Sequence, residues 1–195
     1  MADIITITRK TLETDITIDF CLDGKGRARI DTGVGFMDHM LTLFTVHGFF
    51  DMEIAARGDT HVDYHHTVED VGICLGQAIS EACGKLDGMR RYGNAAIPMD
   101  EALAEVHVDL CKRPYIVFNI PFTKEKIGDF DTELFEEFFR AVAVNAGITL
   151  HVNVRYGNNA HHMIEAVFKA FGRALNQASE TDPGITGVLS SKGRL

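Results

Sequence analysis

The sequence predicts an α+β fold: a tandem duplicated unit, each copy a mainly antiparallel β-sheet with helices on one face. Three observations predict it. Short alternating strands take turns with amphipathic helices, the second half replays the element order of the first, and no Ser/Gly/Pro-rich linker separates the halves.

The elements follow in chain order. Thr14–Leu22 (TDITIDFCL) alternates Ile16, Ile18 and Phe20 with polar residues, the pattern of a half-buried strand. DGKG at 23–26 is a turn, and RARID at 27–31 is expected to continue as its hairpin partner. Phe36–His47 reads as a helix closed by Gly48. Asp51–Arg57 is a strand, and a helix runs from about His65 to about Leu86 with Asp63 as its cap. In the second half Leu103–Cys111 and Tyr115–Ile120 read as strands. Thr132–Asn145 is a helix stopped by Gly147, Ile148–Val154 a strand, and His161–Ala178 the last helix.

The replay reaches single residues. TIDFC (17–21) lies over HVDLC (107–111), and HHTVEDVGICLGQAI (65–79) over HHMIEAVFKAFGRAL (161–175). A period of roughly 90–98 residues is too long for a solenoid and indicates a duplicated α+β unit with an internal pseudo-twofold. Residues 1–195 are therefore expected to form a single domain of two repeats, about 1–90 and 91–195.

Bulk properties exclude several classes. A net charge of −9 disfavours an extended nucleic-acid or anionic-membrane surface, while leaving room for one local cationic pocket. No apolar run approaches a membrane span, and MADIITITRK lacks a signal-peptide pattern. Cys21, Cys74, Cys83 and Cys111 form no CxxC pair; they read as reduced core thiols of a cytoplasmic protein.

The chemistry is carried by DYHHTVED (63–70) and its echo HHMIEA (161–166). A single buried histidine is ordinarily a hydrogen-bonded core residue. Two copies of HHxxE in a chain with nine histidines are not expected by chance, and duplication alone does not explain a titratable cluster. On a helix, residues i and i+4 share a face, so His65 converges with Glu69 and His161 with Glu165. Adjacent residues diverge by about 100°, so His66 and His162 face another metal or another edge of the site. Imidazole with carboxylate, and no thiolate, suits manganese, iron or zinc. Each motif has an upstream companion: His39 in GFMDHML, and in FDTELFEEFFRA the matching position, about Glu137.

Read together, RKTLETDI, GVGFMDHML, DYHHTVEDVGICLG, FDTELFEEFFRA, HVNVRYGNNAHHMIEAVFKAFGRAL and GVLSSKG strongly resemble the imidazoleglycerol-phosphate dehydratase family. The matching segments run from residue 9 to residue 193. The resemblance implies a duplicated fold of the ribosomal protein S5 domain 2-like kind. It also implies the reaction: imidazole glycerol phosphate loses water to give imidazole acetol phosphate, in histidine biosynthesis. Two manganese ions per active site are implied, with His39, His65, His66, Glu69, His161, His162 and Glu165 as ligands. Many family members have histidine where this chain has Glu137; a carboxylate also ligates Mn²⁺, so Glu137 is expected as a ligand, the alternative being a surface residue. Arg91, Arg113, Lys169, Ser191, Lys192 and Gly193 match phosphate-contacting positions. Glu13 matches a carboxylate at the substrate and is expected as the base. His47 is expected at the substrate hydroxyls, with Glu69 or Glu165 available as proton donors. A 24-subunit homo-oligomer built from trimers that share metal sites is implied as well.

Two rivals use the same ligands. A dinuclear hydrolase would activate water instead of eliminating it. A ferritin-like metal-storage cage would need long bundle helices with ExxH motifs, which the strands at 14–22, 51–57, 103–111 and 148–154 oppose.

Overall fold

Both halves build the same sheet. The computed structural model describes residues 3–193. In the first half β1 (Ile5–Lys10), β2 (Thr14–Cys21), β3 (Arg27–Asp31) and β4 (Asp51–Gly58) form a four-stranded sheet in the order β1-β2-β4-β3. In the second, β5 (Tyr92–Met99), β6 (Ala102–Asp109), β7 (Tyr115–Asn119) and β10 (Thr149–Tyr156) form another in the order β5-β6-β10-β7. Each sheet is antiparallel apart from one parallel edge pair, β3 with β4 and β7 with β10. Among the described residues a two-stranded ribbon, β8 (Lys126–Ile127) and β9 (Phe130–Asp131), occurs only in the second half.

The register lines up one apolar row across each sheet. Ile7, Ile18, Ile54 and Ile30 are successive partners in the first, and Ala95, Val106, Val152 and Phe118 in the second. Alternate residues such as Glu53, Arg57, His107 and Arg155 face outward. By strand ends, Ile18 corresponds to Val106, two residues away from the match read off TIDFC and HVDLC. A slip of two keeps every side chain on its face, so both alignments agree on what points inward.

Four helices fill the space between the sheets: α1 (Gly35–Gly48), α2 (His65–Cys83), α3 (Leu134–Ala146) and α4 (Ala160–Ser179). Helix α1 is the crossover between parallel strands β3 and β4, and α3 does the same for β7 and β10. Across the pseudo-twofold, α1 packs on α4 and α2 on α3. The close approach uses matched glycines. A Cβ on Gly76 of α2 would lie 2.7 Å from the Val142 carbonyl oxygen of α3, and one on Gly172 of α4 would lie 2.5 Å from that of Phe44 on α1. Stacked phenylalanines add to this, with Phe44 on Phe171 in the α1–α4 contact and Phe138 of α3 on Phe168 of α4. Each fully buried phenylalanine contributes about 1.5–3 kcal/mol of transfer free energy.

Several expectations change. RARID is not the hairpin partner of the first strand: β4 lies between them and takes β3 in parallel. The turn signal in DGKG is real, but a parallel partner reached through a helix leaves no local mark. Gly48 is the last helical residue, and Phe49 takes the left-handed cap at φ 58°. Gly48 is small because a Cβ there would meet the Phe50 ring at 2.2 Å. In α3 the same cap position is Gly147, at φ 68°. Strands β1 and β5 were not anticipated; in β5 the Gly93 and Pro98 pattern disguises an edge strand. No helix among the described residues is long and apolar enough to cross a membrane.

Candidate metal centre

Both HHxxE motifs open a helix, and both are fixed by the residue two positions before the first histidine. The Asp63 carboxylate accepts the His65 N–H at 2.8 Å, and the Asn159 side-chain oxygen accepts the His161 N–H at 3.0 Å. This ties the otherwise unpartnered amides of the first turn and sets the azimuth of the motif.

The helical geometry behaves as the spacing requires. His65 Nε2 lies 3.8 Å from Glu69 Oε2, and His161 Nε2 lies 3.3 Å from Glu165 Oε1. The second histidines turn away: the rings of His65 and His66 are 6.0 Å apart and nearly perpendicular, those of His161 and His162 6.5 Å apart.

Helix α1 completes one group. His39 Nε2 reaches Glu165 Oε1 at 2.7 Å, and ligand atoms of His39, His161 and Glu165 all lie within 4.8 Å of one another. Phe36 packs edge-on against the His161 ring, and with Tyr64 and Phe130 lines the adjoining hollow. Lys169, one turn below, donates to Glu165 Oε2 at 3.0 Å and contacts the Met99 sulfur. Burial of the Glu165 carboxylate opposes its ionisation. Hydrogen bonds from His39 and Lys169 overcome that and bring it down to about 2. Two imidazoles and an ionised carboxylate at these separations suit a divalent ion with nitrogen and oxygen ligands.

The other predicted ligands fall into place differently. Across the pseudo-twofold the matching trio is His65, Glu69 and Glu137, equivalent to His161, Glu165 and His39 by the aligned helix caps at Gly147 and Phe49. Glu137 instead lies 3.5 Å from Arg140 on its own helix and joins no three-ligand group among the described residues.

His66 and His162 each meet carboxylates through Nδ1. For His66 these are Asp59 at 3.0 Å and Glu13 at 3.9 Å; for His162 they are Glu101 at 2.7 Å and Asp100 at 3.9 Å. The hydrogen bonds they donate to Asp59 and Glu101 raise both imidazoles above their ordinary value. Glu101 is brought down to about 2, first by His162 and then by the Asn159 amide. Asp59 and Glu101 were not foreseen. Glu101 sits in the β5–β6 turn, the counterpart of the β1–β2 loop that carries Glu13, and locating β5 in the sequence would have exposed it.

His47 is half-buried near the end of α1. Burial, followed by the charges of Lys169 and Arg173, lowers its pKa. Lys169, expected at the phosphate, instead pairs with Glu165 on the metal side.

A separate cleft of about 900 Å³ gathers Arg91, Arg113, Ser191 and Lys192 with Tyr92. Arg91 is largely committed inside the protein: it makes two bonds to Asp109, at 2.7 and 3.1 Å, and a third to the Leu189 carbonyl at 2.7 Å. The Asp109 bonds raise its pKa further. The SSKG backbone is partly committed within its own turn. Lys192 N–H is taken by Ser190 Oγ and Gly193 N–H by the Ser190 carbonyl, and Gly193 does not line the cleft. Arg113 and the side chains of Ser191 and Lys192 remain to face an anion. The Arg91 amide donates to the Ala178 carbonyl at the far end of α4. From His161 to Ala178 that helix rises about 25 Å, so within one chain the cleft and the metal group stand at opposite ends of α4.

Comparisons with known proteins place the chain by sequence and by fold. A family model described as imidazoleglycerol-phosphate dehydratase matches residues 32–175. The imidazoleglycerol-phosphate dehydratase of Acetivibrio thermocellus is 59% identical over 189 residues, covering 97% of each chain. That of Geobacillus thermodenitrificans is 56% identical over 195 residues, covering 100% of both. Among solved structures, the Staphylococcus aureus imidazoleglycerol-phosphate dehydratase superposes with a TM-score of 0.83 at 47% identity, covering 92% of this chain and 100% of that one. The Pyrococcus furiosus structure gives 0.84 at 37% identity, covering 97% and 100%.

Proposed function

The chain belongs to the imidazoleglycerol-phosphate dehydratase family of hydro-lyases, and from that premise we propose that it removes water from imidazole glycerol phosphate to give imidazole acetol phosphate, in histidine biosynthesis. The observation that carries the proposal is the convergence of His39, His161 and Glu165 from two helices of different halves.

Manganese is the proposed ion, two per active site. One centre is built on His39, His161 and Glu165, and its counterpart on His65, Glu69 and Glu137; His66 and His162 point their free Nε2 atoms toward further coordination. When bound, such an ion supplies Lewis acidity that draws charge from the imidazole ring. The protein's own groups carry the remaining steps. Glu13, beside His66, takes the proton from the chain carbon next to the one bearing the ring. The electron pair left behind expels the hydroxyl on the ring-bearing carbon, which leaves as water with a proton from Glu69, because Glu165 is held ionised by His39 and Lys169. The enol so formed tautomerises to the ketone. His47 contacts the substrate hydroxyls.

Arg113, Ser191 and Lys192 hold the phosphate, with Arg91 fixing the cleft wall through Asp109 and Leu189. A substrate of this size does not span about 25 Å of helix. The phosphate cleft of one subunit therefore serves the metal group of another, which supports assembly into trimers and a 24-subunit shell. Lys169 is assigned to the phosphate at that junction. A cytoplasmic location accords with four free, buried cysteines.

The test is Mn²⁺-dependent conversion of imidazole glycerol phosphate by chelator-stripped, reloaded protein, followed at the ketone product. Absence of turnover by folded, Mn-loaded protein would defeat the proposal.

A further inference from the structure

Glu101 makes three contacts that divide between its two oxygens. Oε1 accepts the N–H groups of Asn158 and Asn159, at 3.2 and 2.7 Å, in the turn that starts α4. Oε2 accepts from His162 Nδ1 at 2.7 Å. A carboxylate has no hydrogen to give, so the bond at Oε2 requires the proton of His162 on Nδ1. In the neutral ring that leaves Nε2 with its lone pair. The first half reaches the same result from another element, where Asp59 of the β4–α2 connection meets His66 Nδ1 at 3.0 Å. Two unrelated loops thus put a carboxylate on the same ring atom of the second histidine of each motif.

We propose that Glu101 is a positioning residue that couples the start of α4 to the tautomer of His162, presenting Nε2 for coordination. The inference rests on the reading of His162 as a metal ligand. Partners of this kind fix ring orientation and ligand basicity, and their loss lowers metal affinity by about 10–100-fold.

Glu101→Gln separates this role from capping. The single carbonyl oxygen of glutamine stays with the two amides, so its NH₂ group faces Nδ1 and drives the proton to Nε2. In full-length protein we expect E101Q to keep the thermal midpoint of the metal-free wild type. Mn²⁺ affinity, measured by chelator competition, should fall about 10–100-fold. Nitrogen-15 solid-state spectra of histidine-labelled, metal-free protein should show one ring moving from the Nδ1–H to the Nε2–H form. Glu101→Asp, which keeps two acceptor oxygens, should hold the wild-type tautomer and restore affinity. Asn159→Ala, which removes a cap without touching His162, should lower the midpoint and leave the tautomer alone. Unchanged affinity and tautomer in E101Q would overturn the proposal. His162→Ala distinguishes the two levels: if it binds Mn²⁺ like wild type, the ligand reading fails. If it loses Mn²⁺ while E101Q does not, only the positioning role fails.

Discussion

His39 Nε2 lies 2.7 Å from Glu165 Oε1 although 126 residues separate them along the chain. The contact exists only when α1 of one half docks on α4 of the other, so formation of this histidine–carboxylate group is tied to the docking of the halves.

Glu165 also holds Lys169, whose side chain is 14% exposed. In Glu165→Gln the ammonium loses its anion, and we expect roughly 2–3 kcal/mol of destabilisation in metal-free protein, with metal content falling as well. Glu165→Gln combined with Lys169→Met should recover much of that stability and none of the metal binding, as read by denaturant unfolding and metal analysis. The carboxyl is depressed in the folded state to about 2. Its contribution is therefore present above its ordinary value of 4.5 and is lost as pH falls from there toward 2.

Gly172→Ala and Gly76→Ala should each cost about 1–3 kcal/mol by overpacking a helix crossing. They differ in where the strain goes. A methyl at Gly172 pushes on α1 and carries His39 away from Glu165, so Mn²⁺ affinity of the His39 centre should fall; a methyl at Gly76 pushes on α3. Equal affinities in the two variants, by chelator competition, would break the link between crossing and centre.

Subunit mixing tests whether cleft and metal group act between chains. Arg113→Ala and Glu165→Gln should both be inactive alone. Dissociated together and reassembled with Mn²⁺, they should regain turnover at sites that draw an intact cleft from one subunit and an intact Glu165 from another. No recovery in mixed particles of full size would show that the site lies within one chain.

Burial pushes the Cys83 thiol up to about 11, against an ordinary 9.0. The thiol form is favoured in the folded state, so this contribution is complete below pH 9 and is lost as pH rises toward 11, by up to about 3 kcal/mol. Stability measured against pH should fall less steeply over that window in Cys83→Ala. An unchanged slope would place the alkaline transition elsewhere.

Glu137→Ala should weaken binding of a second Mn²⁺ equivalent while leaving the first intact, as resolved by titration. If only its exposed pair with Arg140 is lost, stability changes by less than about 1 kcal/mol and neither metal equivalent weakens.

Local rules made much of this legible. The four helices and the i,i+4 pairs were readable because 3.6-residue periodicity acts within a turn or two, and an Asp63 bond to the first turn followed from its place before His65, although Tyr64 takes the cap position itself. What stayed hidden depends on distant partners. Nothing near RARID announces that its neighbour is Asp51–Gly58, reached through α1. Nothing near Asp100 and Glu101 announces His162, which arrives from a helix about sixty residues on. Phe49 at φ 58° defeats residue preference because the Phe50 ring needs the space that Gly48 leaves, while an arginine, Arg173, sits over the Phe49 ring.

Helices α1 and α4 meet across the halves, as do α3 and α2. A half-length ancestor pairing with its twin about a true twofold axis would already have held two identical centres, each made from both copies. Fusion into one polypeptide would release the two positions from identity, so that His39 and Glu137 could differ and the β8–β9 ribbon could stand on one side alone.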